Sequence, residues 1–422
     1  MTLALILAVV VLVLATGMPV FAGLGLVAIS LLLVVEGGLG GIAEIVFGKL
    51  NLYLLVAIPL FAFMAHVLIR ARVVDDLYHA AHVLLRHLPG GLAVATVAAC
   101  TLFAAISGSS VATALTVGAA AIPQMIRYGY PPPVAYGVVA AGGTLGILIP
   151  PSGPMVLYGV ISDTSIGALF VAGVVPGLLV AALFGGYCML AAGGERLPRA
   201  GSAEILGALR RALWAFSLPP LILGGMYGGV FTATEAAAVG ALAALAIATL
   251  VYRQLGPWQL LDAARETVRT TSMLFLVLIG AALFSHVLTL MRLPAELVAA
   301  VSGAGVSVLG FLLVVMAVVF LLGMFLETIA IILITTPIVL PVLEALAIDP
   351  VWYGVLLMIN LELALITPPV GMNLFVIKGV AEAPLGQVVR GAAPYVGLML
   401  LALVVLLLVP GLALWLPGTM RG

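Results

Sequence analysis

Ile149-Pro150-Pro151-Ser152-Gly153 and Thr367-Pro368-Pro369-Val370-Gly371 stand 218 positions apart. At the same shift Pro123 falls on Pro341 and Pro132 on Pro350. Upstream the shift becomes 220: His66-Val67-Leu68 matches His286-Val287-Leu288, Arg72 matches Arg292, and Asp76-Leu77 matches Glu296-Leu297. Matches in this order make the chain two halves of one design, and a fold assigned to one half must serve for the other.

Both halves are too apolar for water. Of 422 residues, 64% are hydrophobic and 8% are charged, against roughly 25% charged in a typical soluble domain. Sixteen basic and sixteen acidic side chains cannot cover a soluble protein of this size, which excludes a soluble enzyme. A spanning helix needs about 20 mostly apolar residues, so the chain has room for roughly ten to twelve spans. The 48 glycines and 25 prolines are too many for simple rods. They predict helices broken inside the membrane, where freed backbone must face protein or a wet cavity. A net charge of zero excludes nucleic acid as a partner. Cys100 and Cys188 lie in apolar stretches without CxxC spacing and read as small packing residues. The N-terminus lacks a basic leader and runs on hydrophobically through Val35, so residues 1–35 read as retained membrane segment, either one helix or two broken at Gly17-Met18-Pro19.

Charge gives the orientation. Basic residues cluster at Arg70 to Arg86, Arg127, Arg196 to Arg211 and Arg253 to Arg269, and the positive-inside rule makes these loops cytoplasmic. The apolar stretch 91–126 therefore enters and leaves by one face, as a re-entrant hairpin interrupted at Ser107-Gly108-Ser109-Ser110. Its mate, 305–345, is interrupted around Gly323 to Thr328. Five apolar blocks lie between them (132–163, 166–193, 213–232, 235–252 and 273–291), and an odd number of crossings inverts the second hairpin. The expected fold is all-α: a polytopic membrane protein of inverted repeats, with two re-entrant hairpins and broken transmembrane helices, the architecture of secondary transporters. The expected divisions are an N-terminal segment 1–35, a first repeat 36–193, a cytoplasmic connector 194–212, a second repeat 213–390 and a C-terminal helix 391–422. Segments 70–88 and 253–270 read as amphipathic helices at the cytoplasmic interface.

The chemistry collects at the breaks. A hairpin tip presents the carbonyl end of one half-helix to small cations and the N–H end of the next to anions. Ser107, Gly108, Ser109 and Ser110 form such a tip. The proline pair after Gly142, Gly143, Thr144 and Ile149 frees further carbonyls beside it. Gly323, Met324 and Thr328, with Asn360 and Thr367, are the counterparts in the second half. Ionisable residues at membrane depth are functional candidates by default. Glu327 and Glu362 each read as a proton carrier or as a cap on a half-helix. His66 and His286 read as interface anchors, and Glu235 as an N-terminal cap following Thr232. Neither HExxH, GxSxG nor a paired-aspartate motif occurs, so an intramembrane hydrolase is not supported, and the chain is read as no enzyme.

The runs Ile106-Ser107-Gly108-Ser109-Ser110-Val111-Ala112, Gly143-Thr144-Leu145-Gly146-Ile147-Leu148-Ile149-Pro150-Pro151-Ser152, Phe231-Thr232-Ala233-Thr234-Glu235 and Asn360-Leu361-Glu362 with Ile366-Thr367-Pro368-Pro369-Val370-Gly371-Met372-Asn373 resemble the large membrane subunit of TRAP (tripartite ATP-independent periplasmic) transporters of the DctM type. The likeness covers essentially the whole chain. It implies a multi-pass permease of the bacterial inner membrane, working with a small four-helix membrane subunit and a periplasmic substrate-binding protein. It implies sodium as coupling ion, no other cofactor, an elevator motion of the hairpin-bearing body and a small carboxylate substrate such as a C4-dicarboxylate. No small-subunit block precedes the N-terminus, so a separate small subunit is expected. Members resembling sialic-acid importers carry an Asp where this chain has Thr113. On this reading sodium binds at Ser107 to Ser110 with Gly142 to Ile149, and again at Gly323 to Thr328 with Asn360 and Thr367. The substrate is expected at Ser109, Ser110, Thr113, Ser152 and Asn373, because no arginine lies deep in an apolar block. The alternative is a stand-alone ion-coupled carboxylate carrier needing no binding protein.

Overall fold

The protein is described by a computed structural model covering residues 2–191, 193 and 197–420. Residues 194–196 of the expected connector, Arg196 among them, and the last two residues lie outside that description. The chain is helical. Before the repeats come α1 (Thr2–Ala15), α2 (Val20–Val35) and α3 (Ile42–Leu50). Residues 1–35 thus hold two helices, parted where Gly17 takes a positive φ and Pro19 withholds its N–H.

The first half continues as α4 (Ala57–Arg70), α5 (Val73–Leu85), α6 (Gly91–Ser107), α7 (Ser110–Arg127), α8 (Pro132–Leu148), α9 (Gly153–Ser162) and α10 (Ile166–Ala191). Three linking helices follow: α11 (Ser202–Tyr227), α12 (Ala233–Ala246) and α13 (Pro257–Leu290). The end of α13 opens the second half, followed by α14 (Leu293–Gly303), α15 (Val308–Gly323), α16 (Thr328–Ala345), α17 (Pro350–Leu365), α18 (Met372–Ala381) and α19 (Leu385–Leu408). From α5 and α14 onward each helix has a mate of nearly equal length: α7 and α16 both have 18 residues, α9 and α18 both have 10.

The backbone repeats as well. Arg72 and Arg292 both open their helices in the left-handed conformation, at φ of 56° and 57°. Asp163 and Glu382 both close theirs, at 51° and 48°. A side chain at positive φ is uncommon, and its recurrence at matching places shows that the halves share their corners as well as their rods.

Eight helices among the described residues are long and apolar enough to cross a bilayer, fewer than the ten to twelve that length allows. The remaining apolar length is spent on hairpin arms and half-helices of 10–17 residues. Three expected boundaries move. The segment 253–270 is no separate interfacial helix: after a short non-helical stretch 253–256, its residues 257–270 are the first part of α13, which runs unbroken for 34 residues because no proline follows Pro257 within it. Helix α11 starts at Ser202, inside the expected connector, where Ser202 to Leu209 contains no helix breaker but Gly207. A boundary at 390/391 cuts through α19, which is the mate of α10.

The halves pack crosswise. Helix α7 lies on α18 and α16 on α9, while α8 lies on α19 and α10 on α17. Outside this body α12 packs on α4, and α13 on both α2 and α4. Arg86 forks onto Glu204 at 2.6 and 2.8 Å and donates to the Pro198 carbonyl, and Arg70 reaches Asp262 at 3.1 Å. These pairs put three of the basic clusters at one end of the molecule. Asp262 and His286, on one unbroken helix, are 24 residues apart, about 36 Å at 1.5 Å per residue. His286 faces Glu36 at 3.9 Å at that far end. The separation matches a hydrocarbon core of about 30 Å with its borders.

Candidate functional site

The first tip is built by three consecutive residues. Ser107 ends α6, Gly108 turns the chain at φ 59°, and extended Ser109 caps α7 by accepting from the Ala112 N–H at 3.3 Å. The Ser107 hydroxyl meets that of Thr113 at 2.9 Å, which in turn donates to the Ser109 carbonyl at 2.8 Å. Ser110 points the other way. Its hydroxyl donates to Glu362 Oε1 at 2.7 Å, and the Ile147 N–H donates to the same oxygen at 2.9 Å. The first hairpin, the last turn of α8 and the last turn of α17 are thereby joined through one carboxyl.

The tip sits hard against α8. A side chain at Gly146 would run into the Ser109 carbonyl group, and one at Gly108 into the Pro151 carbonyl oxygen. Both breaks follow from their prolines, which cannot donate to the preceding turn. Ser152 then caps α9 by accepting from Met155 N–H at 3.5 Å, and Gly371 at φ 58° precedes α18. The Pro150–Pro151 and Pro368–Pro369 bonds are both cis. The second tip is simpler: Glu327, extended, opens α16 with no side-chain cap.

Both tips border a cavity of about 300 Å³. Ser107 to Ala112 and Glu327 to Ile329 form one side of it, with Pro151, Gly153 and Pro154 of the first break, and Leu365 and Met372 flanking the second. The opposite wall comes from α4, including Phe61 and His66, and from α13, including Thr270 and Met273. The wall is mainly apolar, and its polar groups are hydroxyls, tip backbone, His66 and Glu327.

The sequence-predicted residues divide into two sets. Ser107, Gly108, Ser109, Ser110 and Thr328 border the cavity. Gly142, Gly143, Thr144, Ile149, Gly323, Met324, Asn360 and Thr367 stand behind its wall. Gly142 and Gly143 lie inside α8, where they admit Cys100 and Ala114 at close range. Thr144 donates to Ala141 O at 2.6 Å and Thr367 to Leu363 O at 2.7 Å, each within its own helix end. Asn360 donates to Met316 O at 2.7 Å and so ties α17 to α15, while Gly323 backs onto Ala364.

Three residues expected to touch substrate do not reach the cavity. Thr113 is fully buried within the tip, its hydroxyl committed to Ser107 and Ser109. Ser152 is buried as a cap, and Asn373 is buried and donates to Ala140 O of α8 at 3.3 Å. His66, read as an anchor, is instead a cavity wall residue; it lies four residues short of the α4 terminus, on the face turned to the tips. Glu235 closes a capping box with Thr232, accepting at 2.9 Å from its N–H. The cysteines are buried and unpaired, with Cys188 Sγ 3.2 Å from the Tyr395 hydroxyl. Sequence reasoning missed the contributions of α4 and α13 to the wall, although the repeated histidine already marked α4 as special.

Repeated halves, broken helices and two tips bordering one cavity define a membrane transport permease. The family model described as "Tripartite ATP-independent periplasmic transporter, DctM component" matches residues 7–412, and the chain belongs to that family. It is a multi-pass inner-membrane permease subunit of the TRAP type. It is 41% identical over 394 residues to the C4-dicarboxylate TRAP transporter large permease protein DctM of Pseudomonas aeruginosa, covering 93% of this chain and 92% of that one. It is 36% identical over 365 residues to the ectoine/5-hydroxyectoine large permease UehC of Ruegeria pomeroyi, covering 86% and 85%. Among solved structures, the YdaH transporter of Alcanivorax borkumensis shares the fold with a TM-score of 0.65 at 17% identity, over 88% of each chain.

Proposed function

We propose that this permease subunit imports a small organic acid, a C4-dicarboxylate or related carboxylate, by sodium symport. The observation that carries the reading is the cavity, because both tips, both breaks and an opposing wall from α4 and α13 meet there. Its 300 Å³ stands at the lower edge of the roughly 300–1,000 Å³ usual for ligand sites and suits a small solute. The Ser109 hydroxyl holds the carboxylate with the first N–H groups of α7, Ser110 N–H among them, where a helix start favours an anion, while the Ser110 hydroxyl stays on Glu362. Thr113 braces Ser109 from behind.

Sodium seats where carbonyls are freed: at Ser107 to Ser110 beside the end of α8, and at Gly323 to Thr328 beside Asn360 and Thr367. The hairpin-bearing body moves against α4 and α13 to carry the cavity across. A periplasmic binding protein delivers the solute, and a small four-helix membrane subunit covers part of the apolar flank. The relatives named above carry chemically different solutes, so the acid is chosen largely by the delivering protein.

Thermal-shift screening of that binding protein against organic acids names the solute. Uptake is then measured in proteoliposomes containing both membrane subunits. The expected result is uptake that follows an inward sodium gradient. Full uptake with potassium in place of sodium, driven by a proton gradient, overturns the coupling.

A further inference from the structure

Helix α4 turns a single face to the cavity. Ile58, Phe61, Ala62, Ala65, His66 and Ile69 recur at helical spacing, and all of them border it. On this helix only the His66 ring offers the cavity a side-chain hydrogen-bond donor, and on α13 only the Thr270 hydroxyl does. The rest of that wall is apolar, Met273 and Leu274 included. The imidazole is half-buried and enters no ion pair among the described residues, neither with Glu266 nor with Glu327. Glu266 and Arg70 stand near enough to act on it through space, and Arg70 is itself bound to Asp262 at 3.1 Å. The internal repeat gives the ring no structural reason. Its mate His286 lies 3.9 Å from Glu36 at the far end of α13 and borders no part of this cavity. One histidine of the pair thus faces a carboxylate, and the other faces the cavity.

The two sides of the cavity therefore offer different chemistry. The tip side has the Ser109 hydroxyl and the first N–H groups of α7, and the facing wall has one imidazole and one hydroxyl in an apolar surface. A solute held by a carboxylate at the tip turns its other end toward α4 and α13. An apolar end there would strip water from His66 and Thr270 and leave their donors unanswered, whereas an end bearing an acceptor would satisfy them. A site built to donate to a solute rejects the analogue that lacks the acceptor. We propose that His66 is the specificity-determining contact for the second polar end of the solute, its ring N–H donating to a carboxylate or other acceptor while Thr270 stands on the same wall. The contact needs a donor and no charge, so the neutral imidazole serves. This rests on the permease reading with a carboxylate at the first tip, but not on sodium as the driving ion.

The test is equilibrium binding of succinate and of butyrate to the full chain with its small membrane subunit, in nanodiscs with sodium present. The probes share one carbon chain and differ in carrying a carboxylate at both ends or at one. Wild type is expected to bind succinate more tightly than butyrate. His66→Leu should bring succinate down to the butyrate level, a fall of roughly tenfold or more for one hydrogen bond to a charged group. Butyrate binding should not change. His66→Gln, which keeps an N–H donor, should restore most of the difference. Should the leucine variant fail to assemble, His66→Phe, a ring without a donor, is read in its place. Succinate binding that ignores the loss of the imidazole, or an equal loss for both acids, overturns the proposal and leaves the permease reading standing. A glutamine variant as weak as the leucine one also overturns it, by making ring shape the cause. No succinate binding by wild type overturns both readings.

Discussion

Gly108 is held by two independent constraints. Its φ of 59° costs a residue with Cβ about 1 kcal/mol or more, and the direction of that Cβ is occupied by the Pro151 carbonyl oxygen. A backbone carbonyl cannot rotate aside, and overpacking of this kind costs about 1–3 kcal/mol. Gly108→Ala is therefore expected to insert normally but displace the tip, with uptake falling roughly tenfold or more, since about 1.4 kcal/mol is one decade. Uptake at matched membrane expression checks it. Ser110→Ala separates ligand from packing residue. An interhelical hydroxyl contact averages about 0.6 kcal/mol, and alanine fills the same space, so a packing role predicts unchanged sodium dependence. A site role predicts a raised sodium concentration for half-maximal uptake. The three tip serines were legible in the sequence because hydroxyls between apolar arms have few other uses. The partner of Ser110 was not, because Glu362 lies 252 residues away and no local spacing joins them.

At the scale of elements, legibility followed the breakers. Proline pairs marked the breaks after α8 and α17, and both stand where the residues put them. Charge was a poorer guide. The polar stretch 253–270 suggested a helix lying on the membrane, yet backbone continuity prevails and it rises straight into α13. Caps mark helix starts better than polarity does. Asp349 is an example: its carboxylate accepts from Val351 N–H at 2.7 Å and from Trp352 N–H at 3.2 Å to open α17. Asp349→Ala is expected to cost about 1 kcal/mol and Asp349→Asn only a few tenths, since asparagine caps as well. Thermal unfolding in detergent should rank them wild type, then Asn, then Ala. Equal midpoints for Ala and wild type would show that packing alone fixes the start of α17.

For the whole molecule, the repeat could be read from matched residues, but the crosswise packing could not, because matched spacing does not say which half a helix leans on. The inverted orientation makes a direct prediction. Arg127 and Glu344 are exposed, near-equivalent positions at the ends of α7 and α16, and inversion puts them on opposite sides of the bilayer. In a background lacking Cys100 and Cys188, an impermeant maleimide added to whole cells should label Glu344→Cys and spare Arg127→Cys. Labelling both from outside ends the inverted arrangement. The crosswise packing also has a consequence for biosynthesis. At about 5–20 residues per second, the 252 residues between Ser110 and Glu362 take about 13–50 s to emerge. Throughout that interval the first hairpin sits in the bilayer without the helix that receives its tip, and α7 without α18. A ribosome stalled before residue 350 leaves an apolar half that can bury neither face, so premature termination should yield substrates for membrane proteolysis and never a stable half-permease.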